Sequence, residues 1–384
     1  MTEYLAPNRV VVAMSGGVDS SVAALLLHRA GWDVVGVTLK LYSLDETELP
    51  AGHQGCCTLD DAEDARSVCR RLGIPHYALN MEREFHNQVM DYFVSEYRSG
   101  RTPHPCIARN DRIKFSRLMS RADALGAQYV ATGHYARIAR TPDGATLRKG
   151  VDASKDQSYV LFGMTQAQLS RTLLPVGGYH KNEIRDMALD AGLVTADKPD
   201  SQDICFIPLG DYREFLRQRA EGAPGEVVDL EGRVLGTHQG IEYYTVGQRR
   251  GLGSLPYSEE PRYVLRLDAA GNRVVVGPES ALYAGEAWLS GVNFISGSPP
   301  DDGAPVSVKI RYKATEAPAT LHPRPGGALL RFRDPQRAVS PGQAAVFYDG
   351  DTLLGGGIIE PPDCLPTALE SGVQSGIAPA PEQA

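Results

Sequence analysis

The stretch Arg9-Val10-Val11-Val12-Ala13-Met14-Ser15-Gly16-Gly17-Val18-Asp19-Ser20-Ser21 decides the fold. Val10 to Met14 form an uninterrupted apolar run of strand length, the pattern of a β-strand buried on both faces. Two glycines end the run, and an amphipathic helix is expected from about Ser20. Strand, glycine turn and helix N-terminus together make an anion site. Glycine lets the backbone come close to a ligand, and the first helical N–H groups are unpaired and partly positive. This is not a Walker A loop, because no Lys-Ser or Lys-Thr follows the glycines. An ordinary strand-to-helix turn shares the outline, but Ser15 to Ser20 in this context favour the anion site.

A chain of 384 residues exceeds one core of typical size, so two or three domains are expected. Hydrophobic residues make up 42% and charged residues 22%, as in ordinary globular proteins. No apolar run approaches bilayer length, and Met1 to Asn8 lacks a signal-peptide pattern, so a cytoplasmic protein with no membrane partner is expected. Cys56, Cys57, Cys69, Cys106, Cys205 and Cys364 are scattered rather than set out as a disulfide framework, which agrees with a reducing compartment. The net charge is −8, so any nucleic-acid binding must rest on local basic patches.

The first half alternates strand and helix. A helix face (Val22, Leu25, Leu26) ends near Gly31, and a strand covers Val34 to Leu39. A helix carrying Ala62, Ala65, Cys69 and Leu72 stops at Gly73, and a strand covers Pro75 to Asn80. Next come a long helix from Glu82 to Tyr97, a turn over Gly100 to Pro105, a helix from Arg112 to Leu125 and a strand from Gln128 to Thr132. This alternation predicts the α/β class, with a parallel sheet covered on both faces and ligands at the strand C-termini. From about Gly222 short strands between Gly and Pro replace the helices: Glu226–Leu230, Val264–Leu267, Arg273–Gly277, Val306–Arg311, Ala328–Phe332 and Ala344–Tyr348. The expected division is a catalytic domain over 1–205, a small linker domain over 206–277, an antiparallel β-barrel over 278–361 and a disordered tail over 362–384, rich in Ala, Pro, Gly and Ser.

Ser-Gly-Gly-x-Asp-Ser at Ser15–Ser20 resembles the PP-loop of ATP pyrophosphatases, which cleave ATP to AMP and pyrophosphate while adenylating a substrate oxygen. Later motifs converge with it. They are Gly100-Arg-Thr-Pro-His-Pro-Cys106 ahead of Ile113-Lys-Phe115, Ala131-Thr-Gly-His-Tyr135, Lys155-Asp-Gln-Ser-Tyr159 and Ser201-Gln-Asp-Ile-Cys-Phe-Ile207. Gly247-Gln-Arg-Arg-Gly-Leu-Gly253, Arg311-Tyr312, Ser340-Pro-Gly-Gln-Ala-Ala345 and Gly355-Gly-Gly357 follow. From Arg9 to Glu360 this ordered set resembles the bacterial tRNA-specific 2-thiouridylases, which place sulfur on C2 of the wobble uridine of certain tRNAs. The resemblance implies a PP-loop nucleotide domain, ATP with Mg2+, a tRNA substrate, and a persulfide-carrier protein as sulfur donor.

The chemistry asks for these parts. The C2 oxygen of uracil is a poor leaving group. Adenylation makes it part of AMP, and sulfur can then attack C2. Ser15, Gly16, Gly17, Asp19 and Ser20 suit the pyrophosphate end of ATP, with Ala13, Met14 and Val18 in the same loop. By resemblance, Leu39 and Gly133 lie beside adenine and ribose. Asp19 is either a Mg2+ partner or a helix N-cap. Cys205 matches the persulfide-bearing position of the family. The releasing thiol departs from the pattern, because ungapped alignment puts Cys106 at the first of two positions and Arg109 at the nucleophile's. Three readings stay open: Cys106 releases the sulfur beside Arg109, an outside thiol reduces the persulfide, or the protein is an impaired tRNA-binding homologue. An iron–sulfur centre would need Cys106 and Cys205 with Cys56 or Cys57, and no compact spacing supports one. A different PP-loop ligase or amidotransferase acting on a small molecule is the other alternative.

Basic residues are grouped as tRNA binding requires. Arg98, Arg101, Arg109, Arg112, Lys114, Arg117 and Arg121 lie around the cysteine turn. Lys309, Arg311 and Lys313 alternate with apolar residues, which predicts three cations on one strand face. Arg331 and Arg333 flank Phe332, and Arg249-Arg250 add a further pair. The resemblance implies tRNA contacts at His104, Pro105, Cys106, Lys155, Asp156, Gln157, Arg311 and Tyr312, with His134 and Gln343 positioning the base.

Overall fold

The structure, a computed structural model, describes residues 8–42, 59–142, 144–200, 204–207, 211–219 and 222–364. The amino-terminal part runs β1 (Arg9–Ala13), α1 (Val18–Arg29), β2 (Asp33–Lys40), α2 (Leu59–Leu72), β3 (His76–Asn80), α3 (Glu82–Phe85), α4 (Asp91–Arg98), α5 (Pro105–Arg109), α6 (Phe115–Ala124) and β4 (Tyr129–Ala131). It continues through β5 (Ala136–Thr141), β6 (Gly144–Lys149), α7 (Gln166–Ser170), β7 (Thr172–Leu173) and α8 (Lys181–Asp190). A parallel sheet in the order β3-β2-β1-β4-β7 puts β1 at its centre. That position explains the unbroken valines. Val10 and Val12 pack with α1, α2 and α8 on one face, and Val11 packs with Leu118 and Ala122 of α6 on the other. Each valine is fully buried, which contributes roughly 1.5–3 kcal/mol apiece.

Three expectations about the helices change. α1 begins at Val18 rather than Ser20, with Gly17 as its N-cap. The single helix expected over Glu82–Tyr97 is broken by a π-helical segment at His86–Met90 between α3 and α4. The helix expected from Arg112 starts instead at Pro105, and a second π-helical segment, Asn110–Lys114, joins α5 to α6. Pro105 suits the first helical position, where its missing N–H leaves nothing unsatisfied. Cys106 and Arg109 are therefore helical residues, not turn residues.

The next unit carries α9 (Tyr212–Arg217), β8 (Gly225–Val228), β9 (Val234–His238), β10 (Tyr263–Asp268) and β11 (Arg273–Gly277), with strand order β10-β11-β8-β9. The last unit carries β12 (Tyr283–Phe294), β13 (Ala304–Lys309), β14 (Ala317–Arg324), β15 (Gly327–Arg337), β16 (Ala344–Asp349) and β17 (Thr352–Ile359). Pairing of β12 with β17 closes β12-β15-β14-β13-β16-β17 into an antiparallel barrel, so the α/β domain with a barrel at its far end stands as read. The hairpin β5–β6 was not expected. It extends the barrel sheet through β6 and β17 (Leu147 opposite Leu353) although it lies early in the chain. No helix among the described residues is long and apolar enough to cross a membrane. Cys56, Cys57, Ser201 to Asp203 and, beyond Cys364, the expected tail lie outside the described residues.

Candidate active site

The loop after β1 is shaped by its glycines and serines. Gly16 has φ +73°, and a Cβ there would lie 2.2 Å from the Asp61 carbonyl oxygen at the start of α2. Only glycine fits that conformation and approach. Ser15 N donates to Ser20 Oγ at 3.1 Å, and the Ser20 and Ser21 hydroxyls donate to Gly17 O at 3.0 and 2.9 Å. Gly133, just past β4, comes so close to α1 that a Cβ would stand 2.7 Å from Ser20 N. Ala13 and Met14 lead into the loop, and the Met14 N–H is tied to Val37 O of β2 at 2.8 Å. Val18 and Ser20 are buried, while Leu39 is half-buried where the clusters on β2 and β3 meet.

Asp19 is not the N-cap, which removes that alternative. Its Oδ1 accepts the Tyr135 hydroxyl at 2.7 Å and pairs with Lys181 Nζ at 2.6 Å. Lys181 also pairs with Asp200 at 2.8 Å, and Asp200 takes Lys155 at 2.8 Å and Arg185 at 3.1 Å. Burial works against the Asp200 carboxylate, yet hydrogen bonds from Lys155 and Lys181 hold its pKa at about 2. Burial and the neighbouring Asp19 push the Tyr135 phenol up, so it stays a donor. Lys181 and Asp200 were missed in the sequence. One signal was present: Lys181 is the first residue of α8, where the helix dipole disfavours a cation.

Arg109 of α5 acts on two histidines. His134 is buried. Its Nδ1 lies 2.7 Å from Thr132 Oγ1, its Nε2 lies 3.3 Å from Lys114 Nζ, and Phe115 stacks on its ring. An ammonium only donates, so Nε2 accepts and Nδ1–H donates to Thr132. Burial, Lys114 and Arg109 all press its pKa well below the usual histidine range, leaving it neutral. His104 is held at about 4, first by burial and further by Arg109, with its own backbone bond opposing. Its ring packs near Tyr159 and Tyr312. Arg109 thus sits where its charge reaches both histidines, between the loop side and the barrel side of the site.

The two candidate thiols pack in different places. Cys106, half-buried, rests against the cluster around Ile107, Phe115 and Tyr159, next to Tyr312. Cys205 is 9% exposed and lies in an aromatic cluster with Phe85, Phe93, Phe206 and Phe215; the Tyr42 hydroxyl donates to its carbonyl. Cys69 is buried on α2, where burial alone pushes its thiol up to about 12, as expected of an inert core cysteine. No group of three or more His, Cys, Asp or Glu is arranged for a metal among the described residues.

The residues expected on tRNA divide. Lys155 is tied to Asp200, and Gln157 exchanges bonds with the Tyr135 backbone at 3.0 and 2.8 Å. The Asp156 side chain is 6% exposed, accepting from Gly150 N, Ser158 N and Ser158 Oγ, so it shapes its own turn. Tyr312 donates to Asp156 O at 3.2 Å. Gln343 donates to Thr102 O at 2.9 Å, and Thr102 N donates to Pro341 O at 2.8 Å, so the barrel clasps the chain ahead of Pro105. The expected three-cation strand is not formed. Lys309 ends β13 facing Asp156 at 3.8 Å, while Arg311 and Lys313 lie in the turn beyond, Arg311 donating to Arg337 O. Arg101, half-buried, is held in ion pairs with Glu96 and Glu360 rather than offered to a ligand. Arg331 and Arg333 do flank buried Phe332, and Arg249 and Arg250 are exposed.

Comparison with known proteins agrees with this arrangement. Residues 8–209 match a family described as tRNA methyl transferase HUP domain, 213–278 its PRC-barrel domain, and 284–359 an aminomethyltransferase beta-barrel domain. The tRNA-specific 2-thiouridylase MnmA of Pelotomaculum thermopropionicum is 48% identical, over 92% of this chain and 97% of the relative. The same-named proteins of Roseiflexus castenholzii and Heliobacterium modesticaldum are 49% and 51% identical, over 91% of this chain and 99% and 92% of theirs. Identity of this extent over nine-tenths of the chain means that the chain belongs to the tRNA-specific 2-thiouridylase family.

Proposed function

We propose that the protein converts the wobble uridine of tRNA to 2-thiouridine in two half-reactions, adenylation by ATP and then sulfur transfer from a persulfide on Cys205. The observation that carries the reading is the abutment of the two candidate sites. Gly133 packs on the first turn of α1, and the next residue, His134, meets Lys114 and the field of Arg109 on the cysteine side. A nucleobase placed there would have its C2 oxygen toward the loop and C2 toward the thiols.

In the first half-reaction the C2 oxygen attacks the α-phosphorus. The bond from that phosphorus to the bridging oxygen breaks, and pyrophosphate leaves with the electron pair. Ser15 to Ser20 bind the phosphates, and Leu39 and Gly133 flank the nucleoside. Asp19 fits a Mg2+ ion held mainly by phosphate oxygens, since its Oδ1 is engaged and its other oxygen remains for the ion. Bound there, the ion would supply charge neutralisation of the phosphates. The 1–205 part would thus carry the chemistry and the 278–361 barrel, with 206–277, would grip tRNA. His104, Pro105, Lys155, Gln157, Tyr312, Arg249, Arg250 and Gln343 line or support the base and backbone path.

In the second half-reaction the terminal persulfide sulfur attacks C2, and AMP departs with the former C2 oxygen. The Cys106 thiolate then attacks Cys205 Sγ, forming a Cys106–Cys205 disulfide and leaving sulfur on C2; an outside thiol reduces the disulfide. Arg109 supplies positive charge beside this step. A second reading is favoured by the separate packing of the two cysteines: the outside thiol itself releases the sulfur, and Cys106 only supports the base. The donor is a persulfide-carrier protein, which must reach a thiol that is almost covered. Incubation with ATP, Mg2+, a polysulfide as sulfane-sulfur donor, a reducing thiol and unmodified tRNA is expected to yield AMP and 2-thiouridine, read by nucleoside mass spectrometry. Absence of AMP in the presence of intact tRNA would sink the proposal.

A further inference from the structure

Three consecutive residues, Lys155, Asp156 and Gln157, are held from two sides. Lys155 and Gln157 face the nucleotide loop. Lys155 pairs with Asp200 at 2.8 Å. Gln157 accepts the Tyr135 N–H at 3.0 Å, and its own N–H donates to Tyr135 O at 2.8 Å. Tyr135 in turn donates its hydroxyl to Asp19 in the first turn of α1. Asp156, between them, faces the barrel. Its carboxylate closes the turn by accepting Gly150 N, Ser158 N and Ser158 Oγ at 3.0, 3.1 and 2.9 Å. It also stands 3.8 Å from Lys309 Nζ at the end of β13. The pair is shielded from water, with the Asp156 side chain 6% exposed and that of Lys309 18%. Lys309 Nζ lies 5.8 Å from the centre of the Tyr348 ring, and the Tyr348 hydroxyl lies 3.2 Å from Ser158 Oγ. A carboxylate so covered needs a countercharge as well as donors. Here the countercharge comes from the barrel, so a turn that buttresses Asp19 takes its shape from the domain proposed to grip RNA.

We propose that the Lys309–Asp156 ion pair aligns barrel-bound tRNA with the nucleotide loop, setting the C2 oxygen of the target uridine in line with the α-phosphorus of ATP. Neither side chain touches the reacting atoms. Both are positioning residues, acting through Gln157 and Tyr135. Positioning of this kind governs rate rather than affinity, because each substrate keeps its own contacts and only their relative placement changes. Lys309 is thereby assigned to alignment and not to a phosphate of the RNA. The inference rests on the reading of Ser15 to Ser20 as the ATP site and of the barrel as the tRNA grip.

The test uses the full-length chain with Asp156→Asn, Lys309→Met, Lys309→Arg and the double variant Asp156→Asn/Lys309→Met. Asparagine can keep the bonds that close the turn, Oδ1 accepting and Nδ2 donating to the Ser158 hydroxyl, but it has no charge for Lys309. AMP formation is followed in a single turnover at saturating ATP, Mg2+ and unmodified tRNA. Affinity for tRNA is measured by filter binding, and affinity for a non-hydrolysable ATP analogue by calorimetry. The single-turnover rate should fall roughly 10- to 100-fold in Asp156→Asn and Lys309→Met, as a displacement on the order of 1 Å costs. Lys309→Arg should recover most of the rate, and both affinities should stay within about twofold of the parent. The thermal midpoint reports folding. If a single variant does not fold, the double variant, which leaves neither charge buried alone, is read with the same expectation. A parent-like rate in a folded Asp156→Asn or double-variant chain overturns the assignment. So does a parent-like rate reached only at raised tRNA concentration, which would place Lys309 on RNA phosphate. If the parent itself forms no AMP, the underlying reading falls too; if the parent forms AMP and the variants match it, only the ion pair's role falls.

Discussion

The loop after β1 and the helix that begins at Pro105 lie on either side of His134, yet they are made differently. The loop is shaped by its backbone: Gly16 and Gly133 let chain segments approach where a Cβ would clash. The cysteine helix differs in offering side chains: Cys106 and Arg109 within α5 and His104 at its N-cap, with properties set by what packs on them. Backbone sites tolerate almost no change at their glycines. Side-chain sites can exchange one residue for another while the scaffold persists, as would be the case if Arg109 stands at a nucleophile's position. The lesson is that the glycine loop is rigidly specified, whereas the helix of Cys106 has room for exchange at its side chains.

Substitutions can break or sharpen that contrast. The largest effect is expected from Cys205→Ser, which should abolish 2-thiouridine while AMP formation with tRNA continues. Thiolation at the parent rate, measured by nucleoside mass spectrometry, would take Cys205 out of the chemistry. Cys106→Ser should also stop multiple turnover; full activity in the presence of a small thiol would assign release to that reagent. At the backbone site, Gly16→Ala adds strain of about 1–3 kcal/mol at a positive φ. It also drives a methyl group against the Asp61 carbonyl, 2.2 Å from the ideal Cβ position. Nucleotide affinity should fall by at least roughly tenfold, a loss of about 1.4 kcal/mol or more, with tRNA affinity kept. Unchanged nucleotide binding would mean that the loop does not cradle phosphate. The smallest effect lies on the surface. Replacing Arg249 and Arg250 with Ala should weaken tRNA binding and lower its salt slope by about 2, one counterion's worth for each charge. An unaltered slope would leave those arginines as solvated residues.

Parts of this molecule were readable from sequence because their causes are local. The valines of β1 and the glycines of the loop obey short-range rules, so the strand, the turn and the sheet class could be placed. α5 was hidden because Thr-Pro-His-Pro has the composition of a turn, and the π-helical segment Asn110–Lys114 inserts an extra residue that shifts the helical period. The hairpin β5–β6 was hidden because its partner, β17, lies some 200 residues later, and strand pairing is a tertiary choice. The expected row of cations failed for a similar reason. β13 ends at Lys309, so the alternation assumed for Arg311 and Lys313 has no strand to act on. Lys181 obeyed no local rule at all and made sense only beside Asp19.

The clasp of Pro341 and Gln343 on Thr102, with Glu360 on Arg101, bears on how the protein is made. Gln343 and Thr102 are 241 residues apart, so the clasp cannot close while that later stretch is still inside the ribosome. The nucleotide loop draws on residues up to Asp200 and can assemble earlier. During translation, therefore, the loop can fold before the barrel closes on the chain ahead of Pro105. A nascent or truncated chain that ends before Gln343 would carry the segment from Arg101 to Pro105 without these partners.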